Sequence, residues 1–340
     1  MAVYPVTPMK HLISTVGLFL WLTTTSLAVV PYPAAHVERF DPALDQLLSS
    51  DAKLEQLADG VSWAEGPIWY QGGIVYSDVP KNIIYRWKPG MDNKEVFLTP
   101  SGQLTPAPGF REPGSNGLTV DREGRLLVCQ CGERRIARYS DGKFTSVADR
   151  FDGKRFNSPN DLVVRRDGSI YFTDPPYGLE GGENSPLVEL PWAGVYRVAV
   201  DGRVTLLAKT IRFANGIAFS PDERTLYVGS TENGNAHIQA FDVQPDGSIA
   251  NERLFFDARP LAKSGLPGGC DGMKIDHDGN VWTTGPGGIL ILTPGGKLLG
   301  RIATGIPTAN CNWGDDGGTL YITASQFLLR VRTRTRGNGW

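Results

Sequence analysis

Residues 161–174, DLVVRRDGSIYFTD, read as an apolar run, a polar turn around Asp167-Gly168, and a second apolar run ending in Thr173 and Asp174. Asp-Gly between two such runs is a strong short-range hairpin signal, because glycine accepts the positive φ that these turns require. The pattern recurs as GPIWYQGGIVYSD (66–78), GLTVDREGRLLVC (117–129), GIAFSPDERTLYV (216–228), GMKIDHDGNVWTT (272–284) and NWGDDGGTLYIT (312–323). A polar residue stands eight positions before each turn: Glu65, Asn116, Asn160, Asn215, Asp271 and Asn310. Adding eight lands on Gly73, Gly124, Gly168, Glu223, Gly279 and Gly318, glycine in five cases of six, so the register is a repeat and not a coincidence.

The six positions are separated by 51, 44, 55, 56 and 39 residues, the spacing of a four-stranded blade with variable loops. The chain is therefore expected to be all-β, a six-bladed β-propeller. Second hairpins are supplied by NIIYRWKPG (82–90) with KEVFLT (94–99), RIARYSDGKFTSVA (135–148), GVYRVAVDGRVTLLA (194–208) and HIQAFDVQPDGSIANERLFF (237–256). The terminal FLLRVRT (327–333) finishes the last sheet only in part. An early strand near LEQLADG (54–60) is expected to complete it and join the ends of the ring. Residues 51–340 then form one domain, preceded by a 29–50 extension and a 1–28 leader.

That leader carries Met9-Lys10-His11 before LISTVGLFLWLTTTSLAVV, with no further charge until Glu38. It reads as a secretory signal cleaved near Ala28, which would place the protein outside the cell or in the periplasm; a retained membrane anchor is the alternative, and only then would a membrane be a partner. The whole chain has 340 residues, 41% hydrophobic and 21% charged, as a soluble globular protein should. With 34 basic against 36 acidic residues there is no field to attract nucleic acid, and a small-molecule partner is expected. Oligomeric state is not legible. Four cysteines are too few for a disulfide framework. Cys129 and Cys131 do not suit a bridge to each other, whereas Cys270 and Cys311 could bridge or, the favoured reading, act as buried fillers.

In a propeller the first strands of the blades line the channel and start at one rim, so the six polar residues should converge there. Asparagine at a strand start also caps turns through nearby backbone groups. That reading does not account for Glu65, whose neighbours in Trp63-Ala64-Glu65-Gly66-Pro67 are otherwise apolar. Two carboxylates among four amides carry a formal charge of minus two, which would balance one hard divalent cation, Ca²⁺ before Mg²⁺, with Mn²⁺ or Zn²⁺ as further options. A cation there could polarise a carbonyl and acidify water while a neighbouring carboxylate takes the proton, the chemistry of ester or lactone hydrolysis. None of the four histidines, His11, His36, His237 and His277, occupies a ring position, and no Gly-x-Ser-x-Gly is present.

The runs WAEGPIW, NSPNDLVV, YFTDPPYG, FANGIAFSPD and DGMKIDHDGNVW resemble those of the senescence marker protein 30/gluconolactonase family, over about residues 55–335. The resemblance implies a six-bladed propeller with a divalent metal at one channel mouth that hydrolyses sugar lactones. It implies Glu65, Asn215 and Asp271 as metal ligands, Asn160 as a substrate or water-mediated metal contact, and Asp271 as general base. It departs at Ser158, where animal members carry Arg, and at Cys131, where many microbial relatives have His, so the identity of the lactone does not transfer. Tyr177 either lines the pocket or sits in a plain turn, Asp161 reads as a structural hydrogen-bonding residue, and Asn116 and Asn310 as supporting or substrate-facing. Two other readings stay open: a metal-dependent esterase of paraoxonase type, and a binding propeller whose ion is structural.

Overall fold

The computed structural model describes Met1, Val30–Pro31 and residues 35–340. The expected leader and its cleavage point therefore lie outside the described residues. Among the described residues no helix is long and apolar enough to cross a membrane. Six antiparallel sheets each run outward from an innermost strand, in chain order except that the outermost strands of the fifth and sixth come from the start of the chain. The innermost strands are Ala64–Tyr70, Ser115–Val120, Leu162–Val164, Ala214–Phe219, Met273–Ile275 and Thr308–Gly314. Each touches the next and the last touches the first, so the ring is closed. The six-bladed propeller expected from the hairpin register is the fold observed.

Hydrophobic runs on these strands follow from packing on both faces, since successive side chains of a strand point to opposite sides. In the first blade Ile74 and Tyr76 pack toward the sixth blade, against Tyr321 and Leu328, while Val75 between them packs toward Leu118 and Val128 of the second. Leu127 and Cys129 then face the third blade and Leu126 and Val128 the first. An apolar cluster of this kind fills each of the six gaps between neighbouring blades.

Closure uses the early strand. Glu55–Ala58 pairs antiparallel with Phe327–Arg332, Gln56 opposite Leu329, and supplies the fourth strand of the sixth blade. Upstream, His36–Arg39 adds a fifth strand to the fifth blade, with Val37 opposite Ile302. The 3₁₀ turn Pro42–Gln46 between them is started by Asp41, whose carboxylate accepts from the Ala43 amide at 2.9 Å, and by proline, whose fixed φ suits a first helical position. This turn and the residues after it drive Leu44, Leu47 and Leu48 between the fifth and sixth blades, against Trp282 and Trp313. All four cysteines are free and buried. Cys270 and Cys311 belong to different apolar clusters and act as fillers.

Candidate functional site

Each of the six ring residues is held by its neighbour around the channel. In four of them the following residue is glycine, and the reason is steric. A Cβ on Gly216 would stand 2.0 Å from the Asp271 carbonyl oxygen, and one on Gly272 would stand 2.0 Å from the Asn310 side chain. Gly66 and Gly117 meet the backbones of Asn116 and Asn160 in the same way. At most of these positions the β-ladder also slips, between Glu65 and Ile68, Ser115 and Leu118, Ala214 and Ile217, and Thr308 and Asn310. Such a bulge re-aims a side chain relative to the regular pleat. Small hydroxyls complete the seams: Ser77 donates to the Asn116 carbonyl at 2.8 Å and Thr173 to the Asn215 carbonyl at 2.6 Å.

The polar side chains differ in what they leave free. Asn310 donates from Nδ2 to Glu65 at 3.2 Å and to Asp161 at 3.4 Å, while its Oδ1 accepts from the Cys311 amide. It presents nitrogen to the channel and so anchors two carboxylates. Glu65 also accepts from the Gly66 amide through the same Oε2, at 2.8 Å. Asn215 donates to Thr231 Oγ1 at 3.4 Å, and that hydroxyl is also bonded to the Tyr177 hydroxyl. The backbone amide of Asp271 donates to Thr284 Oγ1 at 2.9 Å. Oxygens of Asn116, Asn215 and Asp271 are buried without a hydrogen-bond partner.

Electrostatics point the same way. Burial, with Asp161 next, pushes the Glu65 carboxyl up to about 8, although the Gly66 and Asn310 donors pull it back. Burial and then the charge of Glu65 hold Asp271 well above the ordinary carboxylate range. Carboxylates crowded at a buried rim with orphaned oxygens beside them are in want of positive charge. The donor set, two carboxylates with amide oxygens, fits a hard divalent cation at Glu65, Asn215 and Asp271, with Asn160 and Asn116 on the same rim. No group of three or more His, Cys, Asp or Glu is spaced as a metal centre among the described residues, so any such ion depends on amide oxygens.

Beside Asp271 lies a cavity of about 470 Å³ lined by Trp63, Thr231, Glu232, Lys263 and Thr308. This is the size of a small-molecule site. Tyr177 stacks on Phe213 at 5.5 Å and reaches the cavity wall at Thr231, so the DPPYG turn lies against the mouth. A comparable concavity of about 440 Å³ on another face is lined by Asp121, Arg125 and Arg138, but that carboxylate is already paired to both guanidinium groups at 2.8 Å.

A family model described as the SMP-30/Gluconolactonase/LRE-like region matches residues 63–326. The chain belongs to this family. It is 40% identical over 310 residues to a gluconolactonase of Zymomonas mobilis, covering 88% of this chain and 87% of that protein. A solved gluconolactonase from Xanthomonas campestris superposes with a TM-score of 0.78 at 33% identity, covering 90% of this chain and 97% of that one. Regucalcin from Agrobacterium tumefaciens, a calcium-binding protein, shares the fold at a TM-score of 0.63 and 18% identity, over 83% of this chain and 94% of its own. Membership bears out the resemblance read from the five motif runs.

Two acidic residues beside the ring positions were not read from the sequence as ligands or substrate contacts. Asp161, read from the sequence as a structural hydrogen-bonding residue, makes such bonds: one oxygen takes the Leu162 amide at 2.9 Å and the other the Asn310 side-chain amide. Reading the column after the ring positions, Gly, Gly, Asp, Gly, Gly, Cys, would have marked it as the one charged side chain in a place kept for glycine. Glu112 lies on an irregular loop outside the register, and nothing in the sequence spacing points to it.

Proposed function

We propose that the protein opens a sugar lactone by hydrolysis with the help of one divalent cation, calcium first, held by Glu65, Asn215 and Asp271 with Asn160 alongside. That it is a lactone hydrolase is supported by family membership and by the Zymomonas and Xanthomonas gluconolactonases. The observation that carries the finer reading is the convergence at one rim of two carboxylates raised by burial and three buried oxygens without partners. Calcium binding by the regucalcin relative is consistent with it.

When bound, such a cation polarises the lactone carbonyl, acidifies a water and keeps the neighbouring carboxylates ionised. Asp271 accepts the proton of the attacking water through its unpartnered Oδ1, with its backbone fixed by Thr284. The new C–O bond forms at the carbonyl carbon, the ring C–O bond breaks, and the proton returns to the ring oxygen to give a hydroxy acid. Asn310 holds Glu65 and Asp161 apart from this proton traffic. Tyr177 and Asn160 line the mouth, and the cavity beside Asp271 receives the rest of the substrate. The same reading takes the leader as an export signal.

The test is a lactone panel, with aryl esters for comparison, on chelated protein to which calcium, magnesium, manganese or zinc is added back. Glucono-1,5-lactone hydrolysis should vanish on chelation, return with calcium, and fall about 10²-fold or more in Asp271→Ala. Full activity in chelator, or in Asp271→Ala, would overturn the assignment. A lower melting temperature with turnover unchanged would make the ion structural.

A further inference from the structure

Beside Asn160, several polar atoms in the wall built from the second and third blades are already bonded to protein. Ser158 Oγ donates to the Pro175 carbonyl at 2.6 Å and accepts from the Gly178 amide at 2.8 Å. Cys131 Sγ donates to the Pro159 carbonyl at 3.4 Å, and burial holds its thiol well above the usual range. Gly178 lies directly on this pair, since a Cβ there would stand 2.8 Å from the Ser158 Cβ and 2.9 Å from the Cys131 Cβ. The Tyr177 hydroxyl is bonded to Thr231.

Onto Gly178 comes the loop that precedes the second blade. Both the Arg111 and Glu112 amides donate to the Gly178 carbonyl, at 2.9 and 3.2 Å; Phe110 bridges to Leu179, and the Glu180 amide donates to Gly109 at 2.9 Å. The Arg111 guanidinium donates to the Tyr177 carbonyl at 2.7 Å and stands 3.4 Å from the Glu112 carboxylate. This short ribbon seats the Glu112 side chain, 20% exposed, at the mouth. Its charge acts to raise Glu65, Asp271, Tyr177 and Cys131, so it stands within electrostatic reach of the site. Burial raises its carboxyl and Arg111 draws it back.

We infer that Glu112 is a specificity residue, its carboxylate accepting hydrogen bonds from the ring hydroxyls of a neutral polyhydroxylated lactone. The inference rests on the lactone-hydrolase reading and adds to it the group that tells a sugar lactone from a plain one. On a wall where Ser158, Cys131 and Tyr177 bond to protein, the Glu112 carboxylate meets only the neighbouring Arg111 guanidinium, 3.4 Å from its Oε1, among the described residues, and a carboxylate has acceptor capacity left for sugar hydroxyls. A site built to bond hydroxyls discriminates against an analogue that lacks them, because its buried acceptors are then left unpaired. A fourth carboxylate near Glu65, Asp161 and Asp271 also disfavours an anionic substrate, which restricts the class to neutral sugars.

The test compares glucono-1,5-lactone with δ-valerolactone, which has the same ring and no hydroxyls, in the unaltered protein and in Glu112→Gln and Glu112→Ala, by proton release. We expect KM for the sugar lactone to rise about tenfold or more in Glu112→Ala with kcat within about threefold, and less in Glu112→Gln, which keeps one acceptor oxygen. Turnover of δ-valerolactone should stay within about twofold in both variants, which also reports that they fold. Equal losses on the two lactones, or no loss on either, would refute the inference while leaving lactone hydrolysis in place. Failure of the unaltered protein on both lactones would instead overturn the reading beneath it.

Discussion

Gly216 has no room for a side chain because the carbonyl oxygen of Asp271 occupies the place of its Cβ. Gly216→Ala must push a backbone segment aside, and a cost of about 1–3 kcal/mol in stability is expected, read by denaturant melts. Because the displaced segment carries Asp271, hydrolysis should fall further than the stability change alone would cause. Thr231 makes a gentler test. Its hydroxyl takes the Asn215 Nδ2 and so fixes the amide whose oxygen is buried without a partner. Thr231→Val should weaken calcium binding about tenfold or more, measured by titration calorimetry. Equal affinity would remove Thr231 from any such role.

In chelator the buried carboxyls give a sign to the pH dependence. Glu65 is raised toward 8 and Asp271 is raised as well, so each binds its proton more tightly folded than unfolded. The stability that these two carboxyls contribute to the ion-free protein is therefore fully present below the ordinary carboxylate range and is lost as pH climbs from that range through about 8. The decline should amount to a few kcal/mol, at about 1.4 kcal/mol for each tenfold gain in proton affinity on folding, and calcium should flatten it. Thermal melts from pH 5 to 8.5 with and without calcium check both slopes. A rise in melting temperature with pH in chelator would contradict the burial of these groups. At this scale the sequence was legible where it repeated: the ring residues stand in register. Glu112 was not legible, because a single carboxylate on a loop without periodicity looks like any solvated charge.

At the scale of strands and turns, the hairpins were readable because both faces of every blade are buried, so apolar runs and Asp-Gly turns stand out against the loops. The closing strand in LEQLADG was readable for the same reason, as an apolar stretch left over once six hairpins had been assigned. The bulges were not. Two residues opposing one on the partner strand is a property of how neighbouring strands meet, and no local composition announces it. The extension before residue 50 was equally opaque, since its His36–Arg39 strand gains a partner only from the fifth blade and its 3₁₀ turn only from the gap it fills. Leu44 is fully buried there. Leu44→Ala should cost about 2–5 kcal/mol with kcat unchanged, since the site lies at the channel mouth and not in this gap.

For the molecule as a whole, the ring's two ends meet in one sheet, so shortening the chain tests closure directly. A chain beginning at residue 60 lacks Glu55–Ala58 and leaves Phe327–Arg332 as an open apolar edge. It should aggregate or melt in stages, whereas a chain beginning at residue 51 keeps the closing strand and should retain a single but lower transition. Scanning calorimetry separates the two outcomes, and a stable, active chain from residue 60 would show that the strand is dispensable.

The hydrogen bond from Asn310 to Glu65 spans 245 residues of sequence. It forms only once the last blade has docked on the first, so a clipped or unfinished chain holds all but one of its blades and still lacks the contact that anchors Glu65 in the proposed site. On the proposed mechanism, enzymatic activity in this protein is thus a certificate of completeness. A preparation's turnover per mole counts the closed rings in it, and a proteolytic nick that opens the sixth blade should silence the molecule long before it unfolds it.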